Sequence, residues 1–406
     1  MKDSRLAVDV VDFFSGCGGM SWGFAHARTR HVAFRLRGAV DIDGHANATY
    51  KRMLGIEPVA IDVSMLAGDE DLLRHYADDW GLGDNPLVLI GCAPCQGFSS
   101  HRKKDSRTDS RNDLLEDFAK IVTVLKPEVV VMENVPEVFS IHHWAYYDAW
   151  KTTVQQAGYR VRAQIHNLAT FGVPQERFRA IVIASRVWPA FGMPAPSFTA
   201  EEYRTVRDAI GHLPSLKPGD PPPPGDPMHI TSKHRAETIE LLSKIPKDGG
   251  SRRSLPEGEG PECLRKVDGF RDVYGRLSWD KASVAITARC RTPSCGRFTH
   301  PEQNRGLSVR EAALLQGFPE SFYFEGPFDD KYKQIGNAVS PVFAEALAKH
   351  IDGVWLPPHG DGEEDELGDV QAPLLKSFSS RIASLKKSKA PAHADYTQET
   401  LVRGAR

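Results

Sequence analysis

Val8-Asp9-Val10-Val11-Asp12-Phe13-Phe14-Ser15-Gly16-Cys17-Gly18-Gly19 decides the fold. Its first half is an apolar run that reads as a buried strand of a parallel sheet. The strand runs directly into a glycine-rich turn, Ser15 to Gly23, and then into helical sequence. Glycines there permit a tight turn and a close backbone approach to a ligand at a helix N-terminus. No Lys-Ser/Thr pair follows them, which excludes a phosphate-gripping P-loop.

The same grammar repeats downstream. A second strand, Ala33 to Val40, ends in Asp41, and Val59-Ala60-Ile61 ends in Asp62. A glycine turn with acids at two further strand ends fits a nucleoside-bearing cofactor such as S-adenosylmethionine. Helix capping accounts for the same acids equally simply. Leu87-Val88-Leu89-Ile90 is another buried strand, followed by Gly91-Cys92-Ala93-Pro94-Cys95-Gln96-Gly97-Phe98-Ser99. Loops leaving the carboxyl ends of such strands carry chemistry, so Cys95 is a candidate nucleophile. Cys92 and Cys95 also satisfy a redox or half-zinc spacing, and a cysteine after a strand packs as core. Cys92 reads as core filler. Leu114, Leu115, Phe118, Ile121, Val122 and Leu125 recur at helical spacing and predict a helix laid on the sheet. Val129 to Met132 is a further strand, and it delivers Glu133-Asn134. In Phe171 to Arg179 the alternation of Gln175, Arg177 and Arg179 places the three on one side of an extended segment.

Composition sets outer bounds. With 406 residues, 41% hydrophobic and 26% charged, the chain is an ordinary globular protein of two or three domains. No apolar run approaches a membrane span, no signal-peptide pattern opens the chain, and six cysteines are too few for a disulfide framework. A cytoplasmic location is expected. The net charge of -2 makes no case for nucleic acid, but local charge does. Arg102, Lys103, Lys104, Arg107 and Arg111 face only Asp105 and Asp109, and bases outnumber acids from His229 to Arg305.

Six blocks then carry a resemblance: Asp12 to Gly19, Pro94-Cys95-Gln96, Glu133-Asn134-Val135, Gln175-x-Arg177-x-Arg179, Arg310 to Pro319, and Gln334 to Val339. In this order they resemble the DNA cytosine C5-methyltransferases over roughly Val8 to Ile351, and Gly296 to Gln303 is similar to bacterial members. The resemblance implies an α/β fold: a Rossmann-like S-adenosylmethionine-dependent methyltransferase sheet with a small irregular target-recognition domain inserted. The expected division is 1–187 for the first catalytic part, 188–304 for target recognition, 305–356 for the returning catalytic segment, and 357–406 for a largely disordered tail with a helix around Leu374 to Leu385.

The resemblance also implies roles. Cys95 would add to carbon 6 of cytosine, Glu133 would serve N3, and Arg179, oriented by Arg177, would hold O2, with Gln96 and Asn134 in the same site. Phe14, Gly16, Gly18, Gly19, Asp41, Ile42, Asp62, Val63, Pro94, Leu114 and Asn337 would hold S-adenosylmethionine, with no metal. Ser99, Arg102, Arg111, Gln175, Arg289 and Arg291 would contact double-stranded DNA, the first three from a loop closing over it. The enzyme is expected to act as a monomer beside a cognate restriction endonuclease. Two other readings compete: a tRNA cytosine methyltransferase, whose Cys-Phe-Thr is matched here only by Arg297-Phe298-Thr299, and a DNA-binding relative without catalysis.

Overall fold

The computed structural model describes residues 4–93, 113–187, 191–256, 259–261 and 272–355, with 370, 373 and 378. Pro94, Cys95, Gln96, Ser99, Arg102 and Arg111 lie outside the described residues. By compactness the chain forms two units: Met1–Asn167, Phe178–Pro196 and Phe343–Arg406 make the first, and Leu168–Arg177 with Ser197–Val342 the second.

The first unit is built on six strands: β1 (Leu6–Phe13), β2 (Val32–Val40), β3 (Leu87–Gly91), β4 (Val129–Asn134), β5 (Arg160–Asn167) and β7 (Phe178–Ser185). Their order across the sheet is β2-β1-β3-β4-β7-β5. The first four run parallel, and β7 is antiparallel to both its neighbours. Buried on both faces, the parallel strands read as near-continuous apolar runs; β3 and β4 are buried along their whole length. This is the expected Rossmann-like α/β sheet. Its strand order reverses at β1, and the crevice beside such a reversal is where ligands bind.

Register then fixes which residues share an edge. Phe13 lies opposite both Val40 and Gly91, and Gly91 lies opposite Met132. One residue further along each chain stand Phe14, Asp41, Cys92 and Glu133, so all four come to the same edge. Helices α1 (Gly19–His26), α2 (Gly44–Leu54), α3 (Val63–Gly68), α4 (Glu70–Asp79), α5 (Leu114–Leu125) and α6 (Trp144–Gln156) cover the sheet. The predicted apolar stripe of α5 is buried at Leu115, Phe118, Ile121 and Val122. Phe118 packs so closely on Gly91 that a Cβ there would lie 3.0 Å from its ring. In the sequence expected to be a disordered tail, Val370 and Phe378 are buried in this core, with the Phe378 ring 5.5 Å from that of Phe178.

The second unit has little regular structure: the two-residue strands β6 (Gln175–Glu176) and β8 (Ser283–Val284), and helices α7 (Val206–Ile210), α8 (Ala236–Lys244), α9 (Val309–Gln316) and α10 (Phe328–Asn337). Helix α11 (Pro341–Asp352) leads back into the first unit. Buried arginines do here what a sheet does elsewhere, satisfying loop carbonyls. Arg276 donates to the carbonyls of Leu242, Ile245, His300 and Gln303. Arg310 grips Asp226 at 2.8 and 2.9 Å. Arg305 binds both oxygens of Glu311 at 2.7 Å, and Glu311 also closes a capping box with Ser308 at the start of α9. Within this unit Gln175 and Arg177 bond to residues between Ile286 and Ala338.

The Arg305–Glu311 pair carries a pH prediction. Burial alone would raise the Glu311 carboxyl, but the Arg305 guanidinium more than offsets it and holds the group down at about 2. Its folded value lies below its unfolded one, so its stabilisation is present above the ordinary glutamate range and fades as pH falls towards 2. We expect Glu311→Gln to destabilise the protein by about 3 kcal/mol at neutral pH, leaving Arg305 buried without its charge partner. The variant's loss should shrink on acidification below pH ~4. A urea midpoint series against pH checks this; a pH-independent difference would contradict it.

Candidate active site

Two of the four strand-end residues frame a cradle. Phe14 has φ 57°, a left-handed conformation that costs a bulky side chain about 1–2 kcal/mol. Such strain is tolerated where the backbone is held for a purpose. Gly16 and Gly18 follow at φ 52° and 85°. A Cβ on Gly18 would lie 2.7 Å from Leu54 and 2.8 Å from Tyr50, so glycine is required on both counts. Helix α1 starts at Gly19 with no side-chain cap, so the positive end of its dipole faces the turn unneutralised by a capping side chain. A buried chain braces the turn from behind: the Tyr50 hydroxyl donates to Ser21 Oγ at 2.7 Å, and Ser21 donates to Asp12 Oδ2 at 2.6 Å. Burial pushes the Asp12 carboxyl up to about 8 and the Cys17 thiol up to about 12.

Asp41 takes the amide of Gly16 on Oδ2 at 2.8 Å and that of Asp43 on Oδ1 at 2.8 Å, locking the glycine turn to the end of β2. Asp43 rather than Asp41 caps α2, so capping does not account for Asp41. Asp62 does cap α3, accepting from Ser64. Beside Asp41, Ile42 is 71% exposed, an apolar side chain of the kind that packs on a flat aromatic ring. Val63 points into the core, and Leu114 is half-buried at the first turn of α5.

The other two strand-end residues meet a third. Glu133 lies opposite Ile181 on antiparallel β7, and Arg179 is two residues before Ile181, on the same face. Arg179 Nε accordingly sits 2.7 Å from Glu133 Oε1, an ion pair in which the carboxylate is 3% exposed. On the opposite side, Cys92 Sγ donates to Glu133 Oε2 at 3.0 Å. Asn134 completes the join: its Nδ2 donates to the Ala93 carbonyl at 3.3 Å, and its Oδ1 accepts from Val135 at 2.8 Å. Glu133 and Asn134 are thus bonded to the two residues preceding Pro94-Cys95. Cys92, expected as core filler, is half-buried and bonded to the carboxylate. The signal that would have found it is the strand register, which sets Cys92 beside Glu133.

The remaining expected residues lie in the second unit. Gln175 is fully buried; it donates to Leu315 and Gln316 and accepts from Ile286, which leaves its amide engaged within the protein rather than displayed to DNA. Arg177 is 3% exposed and donates to the carbonyls of Ile286, Gly336 and Ala338. Arg289 is exposed, Arg291 pairs with Asp329 at 2.9 Å, and Asn337 is exposed at the end of α10. Cys290 is buried, which raises its thiol pKa, and Cys295 is exposed; both are free. Among the described residues no group of side chains is arranged to hold a metal ion, and no helix is long and apolar enough to cross a membrane.

Comparison with known proteins accounts for this geometry. Type II methylase M.HgiDII of Herpetosiphon aurantiacus is 35% identical over 84% of this chain and 94% of its own length. Type II methyltransferase M1.HphI of Haemophilus parahaemolyticus is 35% identical over 85% and 87%. Among solved structures, an E. coli prophage protein assigned as a DNA modification methyltransferase shares the fold, with TM-score 0.64 and 24% identity over 86% of this chain and 99% of that one. The profile of the C-5 cytosine-specific DNA methylases matches residues 8–353, and with the glycine turn, Glu133 and Arg179 on one sheet, the chain belongs to that family and is a DNA (cytosine-5-)-methyltransferase.

Proposed function

We propose that the protein transfers a methyl group from S-adenosylmethionine to carbon 5 of a cytosine flipped out of a specific short duplex sequence. The observation that carries this reading is the Arg179–Glu133–Cys92 contact, at the sheet edge that also bears Phe14 and Asp41. The cradle fits the cofactor. The start of α1, which no side chain caps, suits a carboxylate, Asp41 and Asp62 suit ribose hydroxyls and an adenine amino group, and Phe14 and Ile42 suit the ring. Bound there, S-adenosylmethionine supplies an electrophilic methyl group. Gly16, Pro94 and Leu114 complete the proposed set.

Carbon 5 of cytosine is a weak nucleophile. Adding the Cys95 thiolate to carbon 6 breaks the ring's aromaticity and makes carbon 5 enamine-like. Glu133 serves N3 and Arg179 serves O2, so both stabilise the charge that develops as the thiolate adds. Asn134 holds Ala93, the residue before Pro94-Cys95-Gln96 in the chain, and Gln96 is proposed for the same site. Once carbon 5 carries the new methyl group, a base removes its proton and Cys95 is eliminated. Extruding the base costs a few kcal/mol, which contacts from the Ser99–Asn112 segment, with Arg102 and Arg111, would offset. Residues 188–304, including Arg289 and Arg291, would read the target, acting from a cytoplasmic monomer that protects host DNA from a cognate restriction endonuclease.

The test is bisulfite sequencing of DNA from cells expressing the protein. Modified cytosines confined to one short motif support the reading and deliver the target. Unmodified DNA from cells containing folded protein would overturn it.

A further inference from the structure

The thiol of Cys92 is not accounted for by the steps above, yet it touches the residue assigned to cytosine N3. Glu133 is nine-tenths and more buried; its Oε2 accepts a hydrogen bond from Cys92, just past β3, and its Oε1 is ion-paired with Arg179 of β7 without hydrogen-bond geometry. A glutamate has three side-chain torsions, and one partner on one oxygen leaves the second free to swing. Two partners on opposite sides leave a single orientation, the kind of pre-organisation on which electrostatic catalysis depends. The contact also has a fixed origin. Gly91 lies opposite Met132, so the next residue of β3 must stand beside Glu133 in the parallel register.

We infer that Cys92 is a positioning residue: its S–H donates to Glu133 Oε2 and fixes the carboxyl for cytosine N3. The inference rests on the reading of Glu133 given above. No covalent role falls to Cys92, and its thiol is not consumed. Hydrogen-bond donation is all that is required of it, and a serine hydroxyl supplies that too.

The experiment compares Cys92→Ala and Cys92→Ser with the parent enzyme on a duplex carrying the mapped target, with saturating tritiated S-adenosylmethionine. The alanine variant should lose about tenfold in kcat, the effect of one hydrogen bond to a charged group, with KM for DNA within about twofold. The serine variant should return to within about threefold of the parent. A merely structural cysteine predicts a different pattern: both variants lowered together in step with melting temperature, or neither affected. Either result would overturn the inference. Parent enzyme that makes no 5-methylcytosine would instead overturn the reading of the site, so the two failures are distinguishable. A thermal melt of each variant guards against misfolding, and Glu133→Gln, combined with each, should erase the difference between alanine and serine.

Discussion

Replacing Cys95 by alanine should abolish methyl transfer, lowering turnover by at least about 10⁴-fold while leaving DNA binding within a few-fold of the parent. The reasoning is chemical. Without a nucleophile at carbon 6 the ring stays aromatic, and no placement of Glu133 or Arg179 makes carbon 5 reactive. Among the described cysteines, Cys17 and Cys290 are buried with raised thiol pKa values, Cys92 is engaged with Glu133, and Cys295 is exposed in the second unit, not on the sheet edge that carries Glu133 in the first. Single-turnover assays with tritiated cofactor, alongside electrophoretic binding of the target duplex, check both halves. Residual activity within about 100-fold of the parent would show that Cys95 is not the nucleophile.

Arg179→Ala should be the second severe variant, and for two separable reasons. It removes the donor assigned to cytosine O2, which lowers kcat by about 10²- to 10³-fold. It also leaves Glu133, 3% exposed, without the cation it is buried against, a loss of about 3–5 kcal/mol. The double variant Arg179→Ala, Glu133→Gln should recover part of the stability and none of the activity. Arg179→Lys should recover more stability than activity, because an ammonium pairs with Glu133 as a point charge but lacks the planar fork. Denaturant midpoints and single-turnover rates on the same preparations separate the two effects. Equal recovery of both by lysine would contradict the dual role.

What the sequence made legible follows from what each part is built of. The strands β1, β3 and β4 are buried on both faces, so their ends, and the glycine turn and Glu133 attached to them, could be placed by counting. Helix α5 declared its buried stripe by period alone. The second unit gave no such signal. Its scaffold includes Arg276, Arg305 and Arg310 bonded to His300, Leu216 and Asp226, partners 24 to 89 residues away in sequence, and buried arginines look like surface arginines in a one-dimensional string. The same blindness affected Gln175 and Arg177, whose alternation with Arg179 resembles a row displayed to a ligand. In the structure both are buried in the second unit, whereas Arg179 sits on β7 against Glu133. Cys92 was misread because composition treats a cysteine after a strand as filler, and only inter-strand register shows its neighbour. Val370 stands alone in acidic sequence, and Phe378 falls within the helix expected around Leu374 to Leu385; neither pattern tells which core the residue joins.

The most direct measurement follows the bond that defines the proposed reaction. A target duplex with 5-fluorocytosine at the modified position replaces the proton that must leave with a fluorine that cannot. Incubated with the protein and S-adenosylmethionine, it should give a complex that survives denaturing electrophoresis. Mass analysis of the digest should then place the methylated base on Cys95. No adduct, or one on another cysteine, would contradict the account.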